Sequence, residues 1–441
     1  MIEFAFFFYY ISDIVLNQVH TQLYLHKACL ANSTNEQSYN DCYNYKGGLI
    51  LVSPVTSSYY RWAMLLLGVF YVSLATSWSD ISGRRRKPLV IIAVLSQIME
   101  SLTGFAHYFF ISSMIVTFIS NTILEFIGGM NMMFVVAQIY ICETSAVENR
   151  TMRLGLLWVV RVVCQLIGNG ITYYFVYYKV RFFFSYALCF VLSFISMLLT
   201  ALLDDKFVVP EEKLSFSKLF DATRIAHNFK LVFKKSLGKK RLLVLLLLIA
   251  YVLMYFVYEG ENVFSTYYII NSLLGSLYAT DQHWTALQVV KNIALIFSTL
   301  LCCVILSKCL KIRDVSIGIF ASICNIIGVI FYFLVGQTWQ LYVATMLNVC
   351  HGVILFTSVS FLSKFYDGKE FGRLFGVLNI FFCLALISKW AYATVFVKTI
   401  DSFPTAVYLS SLFLNIAVLV LYCISFMFWW LMSDSEVFEE S

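Results

Sequence analysis

Apolar residues in this chain come in long unbroken blocks, set apart by short polar stretches. A transmembrane helix needs about 20 largely apolar residues to cross a hydrocarbon core of roughly 30 Å. Twelve blocks reach that length: residues 1–22, 59–79, 88–109, 112–141, 154–178, 182–203, 242–268, 284–306, 315–335, 338–362, 374–396 and 405–432. They lack the strict alternation of the ~10-residue strands in a membrane β-barrel. Only four prolines occur in the whole chain, which suits long continuous helices. The pattern predicts an all-α polytopic membrane protein with twelve transmembrane helices.

One interruption is longer than the rest. Residues 204–241 are polar, basic and contain Pro210, with six apolar blocks before them and six after. This predicts two six-helix bundles, residues 1–203 and 242–434, an outside loop at 23–58, a cytosolic linker at 204–241 and a short tail at 435–441. Within the linker, residues 215–235 read either as an amphipathic helix on the inner leaflet or as solvated chain.

Composition agrees with the pattern: 60% of residues are hydrophobic, 17% aromatic and only 13% charged. The sparse charge is unevenly placed. Connections that share a side with both termini carry 22 of the 31 Lys and Arg, and the opposite side carries six. Positive charge marks the cytoplasmic side, so both termini are expected in the cytosol. The net charge of +6 is this bias and makes no case for nucleic-acid binding. Glu3 and the absence of leading cations argue against a cleaved signal peptide.

Most of the twelve cysteines sit in or beside apolar blocks, where they pack as small apolar residues. Cys29 and Cys42 fall in the outside loop, where a disulfide persists, and no other cysteine lies clearly outside. Asn32-Ser33-Thr34 in the same loop is a glycosylation acceptor. The chain has no G-x-x-x-x-G-K-[ST], no H-E-x-x-H and no paired C-x-x-C, so neither an enzyme nor a cofactor or metal site is expected.

Between the second and third blocks runs WSDISGRRRK, residues 78–87. Positive-inside bias explains the cations but not Asp80 and Gly83. The spacing D-x-x-G-R-R resembles the signature loop of the major facilitator superfamily, whose plan is also two bundles of six helices. That family usually has Gly four residues before the Asp; here Thr76 stands there, still a small residue. Four further stretches are similar to the proton-coupled folate transporter and haem-carrier family: LYLHKACLANSTNEQSYNDC in the outside loop, GGMNMMFVVAQIYICETSAVENRTMRLG from Gly128, YEGENV in the seventh block and SKFYDGKEFGRLFG before the eleventh. That family's motif after the fourth helix matches at Glu143 and at Arg150 through Gly155, with Glu for the commoner Asp and Met152 for the commoner aromatic residue.

Charges inside apolar blocks are costly and mark pathways or partners. They are Asp13, Glu100, His107, Glu125, Arg161, Glu259, Glu261, Lys291, His351 and Lys389. The resemblance implies a cavity lined mainly by the first, fourth, seventh and tenth helices, with the second, fifth, eighth and eleventh beside them. Glu259 and Glu261 lie about 200° apart on a helix, so only one can face that cavity. The Gly260-Glu261 pair matches the family pattern and points to Glu261. Candidate proton carriers are then Glu261, Glu125, Asp13 and His351. Candidate substrate cations are Arg161, Lys291 and Lys389. Each also has a structural reading: a lysine can snorkel to an interface, and His351 can pack neutral against Cys350 and Asn348. The candidate cytosolic gate comprises Asp80, Gly83, Arg84, Glu143, Arg150 and Arg153.

The expectation is a secondary active transporter of an organic, anionic solute, coupled to protons and working by alternating access, as a monomer in the plasma membrane or an endolysosomal membrane. Its partners are a small solute, protons and lipid. A facilitative uniporter, or a receptor or scaffold that keeps the fold without the cycle, are the alternatives. The outside loop carries its own test. A Cys29–Cys42 bond would close a loop of roughly 14 residues and stabilise by about 3 kcal/mol in the chain-entropy model. Mass spectrometry of the non-reduced protein is expected to recover the two cysteines as one linked peptide; both recovered alkylated would exclude the bond.

Overall fold

The computed structural model of the 441-residue chain describes residues 1–32, 58–83, 86–110, 129–178, 180–204, 223–232, 240–268, 281–335, 337–399 and 405–439, with isolated positions between 116 and 126. Among the described residues there is no strand. Among those residues eight helices are long and apolar enough to cross a membrane, and two shorter apolar ones lie at Leu66–Ile81 and Phe371–Phe381. The all-α polytopic fold class stands.

In chain order the helices are α1 (Ile2–Asn32), α2 (Ser58–Ile81), α3 (Lys87–Phe109), α4 (Gly129–Thr144), α5 (Arg150–Tyr177) and α6 (Phe182–Ala201). There follow α7 (Thr223–Val232), α8 (Lys240–Tyr268), α9 (Asp281–Leu300), α10 (Asp314–Phe333), α11 (Thr338–Leu347), α12 (His351–Ser363), α13 (Phe371–Thr399) and α14 (Ala406–Glu439). Three boundaries differ from the apolar pattern. α1 runs on to Asn32 instead of ending near residue 22, because nothing in residues 23–32 breaks a helix. The tenth apolar block is two helices, α11 and α12, separated at residues 348–350. The end of the eighth is wound as a π-helix over Leu301–Cys309. In the linker, α7 is a ten-residue helix whose Phe229 packs edge-on against Phe381 of α13, ring centroids 6.1 Å apart.

The chain divides into two compact units, Met1–Tyr140 with Val163–Ala222, and Ile141–Val162 with Thr223–Ser441. In the first, α1 and α3 both pack along α6. Apart from Tyr186, the face that α6 buries is polar and small: Ser185, Cys189, Ser193, Ser196 and Thr200, while Phe183, Phe184, Val191, Phe194 and Leu198 are exposed. This inverts the soluble pattern. Lipid solvates the large apolar side chains, so small residues that let backbones approach go inside. Ser12 of α1 donates to the Cys189 carbonyl at 3.0 Å and lies 2.9 Å from the Ser193 hydroxyl, and Ser196 donates to the Ala5 carbonyl at 2.8 Å.

In the second unit α8 packs against α12, α13 and α14, and α10 packs against α11, α12 and α14. All thirteen residues of α12 are buried, which explains a helix hydrophobic on every side. Gly318 of α10 makes the notch that seats Tyr422 of α14; a Cβ there would overlap the ring. Tyr422 is itself held, its hydroxyl 2.6 Å from that of Ser358. Gly318→Ala should therefore overpack a site with no room to yield and destabilise the fold by about 1–3 kcal/mol. Thermal melting in detergent checks this. Combining it with Tyr422→Leu is expected to recover part of the loss, and a full loss in the double variant would place the effect elsewhere.

Candidate functional site

Inside a bilayer a helix can break only where its freed peptide groups find partners in the protein. The break between α11 and α12 meets that demand. The Cys350 N–H donates to Asn325 Oδ1 of α10 at 3.0 Å, and the Val349 carbonyl accepts from Ser298 of α9 at 3.3 Å. Gly328 of α10 lies so close that a Cβ would stand 2.6 Å from the Asn348 nitrogen. The break turns two polar side chains, Asn348 and His351, toward α8.

There they meet Glu261. Asn348 Nδ2 donates to Glu261 Oε2 at 2.8 Å, and His351 Nε2 lies 3.3 Å from the same oxygen. All three are buried, and among the described residues no hydrogen bond reaches Oε1 of Glu261. At the next residue of α8, Asn262 Oδ1 accepts from Lys291 of α9 at 2.7 Å. Glu261, Asn262, Lys291, Asn348 and His351 line one small cavity, closed by Tyr258, Leu295, Tyr332 and Tyr408. Its space is about 20 Å³, room for roughly one water. An organic solute could enter only if these walls parted.

Arg161 stands just behind this wall. Its guanidinium lies 5.0 Å from the Trp158 ring centroid, and Trp158 meets Tyr258 edge-on at 6.3 Å. Arg161 and Glu259 both act electrostatically on Tyr255 and Tyr258. Glu261, His351 and Lys291 are thus brought together, with Arg161 next to them. Asp13 belongs to the other unit, half-buried in α1. Glu125, Arg84 and Cys42 lie outside the described residues, as do the side chains of Lys389, Cys29 and Asn32.

The gate residues resolve into two local networks. Gly83 turns the chain between α2 and α3 at φ 89°, a conformation that favours glycine. The turn brings Asp80 against Arg86, fully buried, which also donates to the Ser79 hydroxyl at 2.9 Å. Sequence reasoning named Arg84 here and missed Arg86. Lys87 continues the junction by donating to the carbonyls of Ala201 and Leu203 at the end of α6.

The second network lies in the other unit. Arg150 donates to the Ser363 carbonyl at 2.8 Å, and Arg153 donates to the hydroxyls of Thr144 and Ser145. Glu143 is half-buried in the last turn of α4. Its centre is a residue the sequence did not flag, Asp314, the first of α10. Asp314 accepts from Thr151 at 2.8 Å, from Lys364 at 2.7 Å and from Ser360 at 3.2 Å. A carboxylate at a helix N-terminus is favoured by the helix dipole as well. The start of α5, the start of α10 and the end of α12 are tied through one side chain.

The sequence profile of the major facilitator superfamily matches residues 4–388. No curated protein matches at the level of sequence. Among solved structures, the human organic anion transporter MFSD10 (TETRAN) superposes with a TM-score of 0.69 at 13% identity, over 95% of this chain and 98% of that one. The proton:xylose symporter XylE bound to 6-bromo-6-deoxy-D-glucose superposes at 0.67 and 14% identity, over 97% and 94%. The E. coli fucose:proton symporter FucP superposes at 0.63 and 10% identity, over 96% and 97%. At these identities the structures share a fold, while the profile covers most of the chain: this protein belongs to the major facilitator superfamily of membrane transporters.

Proposed function

We propose that the chain is a secondary active transporter of an organic anion, coupled to protons and working by alternating access as a monomer. The observation that carries this reading is the buried Glu261–Asn348–His351 cluster at the broken helix, with Lys291 on the opposite wall of the same cavity. Broken helices at the bilayer midplane are where transporters of this kind bind substrates and coupling ions. Glu261 and His351 share one contact, so a proton can sit on either, and Glu261 Oε1 offers a further site for a proton or for a donor on the solute. Lys291 supplies the positive charge that an anion needs, and Arg161 stands ready behind Tyr258. Proton and anion compensate each other's charge, so each favours binding of the other, and by linkage the effect is equal in both directions. The resemblance to the proton-coupled folate transporter and haem-carrier family supports the same substrate class, as does a structural relative described as an organic anion transporter. We assign it to the plasma membrane or an endolysosomal membrane with both termini in the cytosol.

Uptake of anionic metabolites into reconstituted vesicles tests the reading. One proton per solute and one pH unit correspond to about tenfold accumulation, ~1.4 kcal/mol. Glu261→Gln is expected to abolish that accumulation while solute exchange at equal pH persists. A stable Glu261→Gln protein that keeps full stimulation by an acidic exterior would exclude Glu261 as the coupling group. Stimulation absent from the wild type for every solute taken up would mean uniport, and no uptake at all would favour a receptor or scaffold.

The Asp314 network is the proposed inner gate, in place of one centred on Asp80, because it joins helix ends that must separate if that end of the pathway opens. Asp314→Asn strands Lys364 beside an uncharged partner and weakens charge-assisted bonds. Uptake should fall, and a second change, Lys364→Met, should restore part of it. A double variant no better than the single would show that the pair does not act as a unit.

A further inference from the structure

The second unit is not alone in burying a glutamate against a histidine. In the first unit His20 Nδ1 of α1 lies 3.4 Å from Glu100 Oε1 of α3, and both residues are buried. His20 lies inside the first apolar block, near its end, and because α1 runs on without a break it is held within the bundle.

The surroundings are built around this ring. The Tyr186 ring of α6 lies tilted at 43° with its centroid 5.5 Å from that of His20, and Tyr186 is seated in a notch made by Gly104 of α3, where a Cβ would overlap it. Polar contacts join α1 to α3 at three levels among the described residues. Gln97 donates to the Tyr9 carbonyl at 3.0 Å, Lys27 donates to the His107 carbonyl at 2.9 Å, and His20–Glu100 lies between them. The outer two hold in any protonation state of an imidazole. Only the central one changes character when a proton arrives: a neutral imidazole facing a carboxylate becomes an ion pair.

Among the described residues the titratable and charged groups around the pair come from all three helices. α1 contributes Lys27, α3 contributes His107, and α6 contributes Tyr186 and Cys189, the last of which also lies near Asp13 of α1. His107 is also a link outward. Its Nε2 lies 2.5 Å from the hydroxyl of Ser120, which is partly exposed, and His107 is electrostatically coupled to His20 and Lys27. A buried ion pair is a weak way to hold helices together, since apolar residues of the same volume do as well or better. A pair placed beside a second histidine, itself buried but in contact with the partly exposed Ser120, has a better use.

We propose that His20 and Glu100 form a second proton-binding site, in the first unit, reached by way of His107 and Ser120. The entering proton resides on the His20 imidazole, and the Glu100 carboxylate balances its charge. Histidine is the side chain whose ordinary range falls between pH 5 and 8, so the contact of α1 with α3 responds to pH over that interval. The site requires no solute and does not involve the cavity of the second unit, so it stands or falls independently of the transport reading.

Deuterium exchange at the histidine C2 position, followed by mass spectrometry on the full-length protein in lipid nanodiscs, reads the protonation of individual imidazoles. His20 in the wild type is expected to show a sigmoidal rate profile with its midpoint between pH 5 and 8. Glu100→Gln removes the balancing charge and should move that midpoint down by about one pH unit, a tenfold weaker proton affinity. A flat profile for His20 in the wild type overturns the proposal without any variant, and so does a midpoint that Glu100→Gln leaves in place. Where Glu100→Gln fails to fold, Glu100→Asp serves: it keeps the charge but shortens its reach, and a midpoint unmoved by it, in a folded protein, also overturns the proposal.

Discussion

A peptide group that leaves a helix within a bilayer loses several kcal/mol unless another part of the protein replaces its hydrogen bond. In the second unit this constraint organises the site. Asn325 and Ser298 satisfy the groups freed between α11 and α12, and Gly328 lets α10 come close enough to deliver one of them. Because the break is held from two sides, Asn348 and His351 can point at Glu261 instead of being consumed by their own backbone.

Polar side chains elsewhere follow the same logic of mutual satisfaction. Asp80 finds Arg86, Asp314 finds Thr151, Ser360 and Lys364, and Glu100 finds His20. Both hairpin junctions, α2 to α3 and α9 to α10, pass through a left-handed residue, Gly83 at φ 89° in the first and Lys311 at φ 52° in the second. The first places its acid before the turn and the second places Asp314 after it, so the junctions share a backbone solution but not a charge pattern.

Close helix approach makes these contacts possible. Where α6 presents serines and α10 presents Gly318, Ser322 and Gly328, neighbouring backbones come near enough for hydroxyls to reach carbonyls and for tyrosine rings to lie in notches. On these faces many of the large apolar residues are left for lipid. A glycine notch can also seat a ring, as Gly104 does for Tyr186, whose ring lies beside that of His20.

The sequence by itself determined the membrane class, the helix pattern and the sign of each candidate group, because hydrophobic length and charge are local properties that the bilayer reads directly. It also singled out Glu261, Lys291 and His351, since an ionisable residue in an apolar block stands out against its neighbours. It could not determine who meets whom. The break at 348–350 lies in an apolar block with no proline, and only the side chains of Asn325 and Ser298, in other helices, make it affordable. Asp314 sits at a block edge, where an acid looks ordinary until three helix ends converge on it. His20 lies inside its apolar block, but its sequence neighbours do not show that α3 brings Glu100 against it. Arg86 was hidden among four consecutive cations, and which of them turns inward depends on the left-handed geometry at Gly83. In each case the deciding quantity is a partner far away in sequence. Tertiary structure chose those partners, because inside a bilayer every polar group must be matched and the chain alone does not say by what.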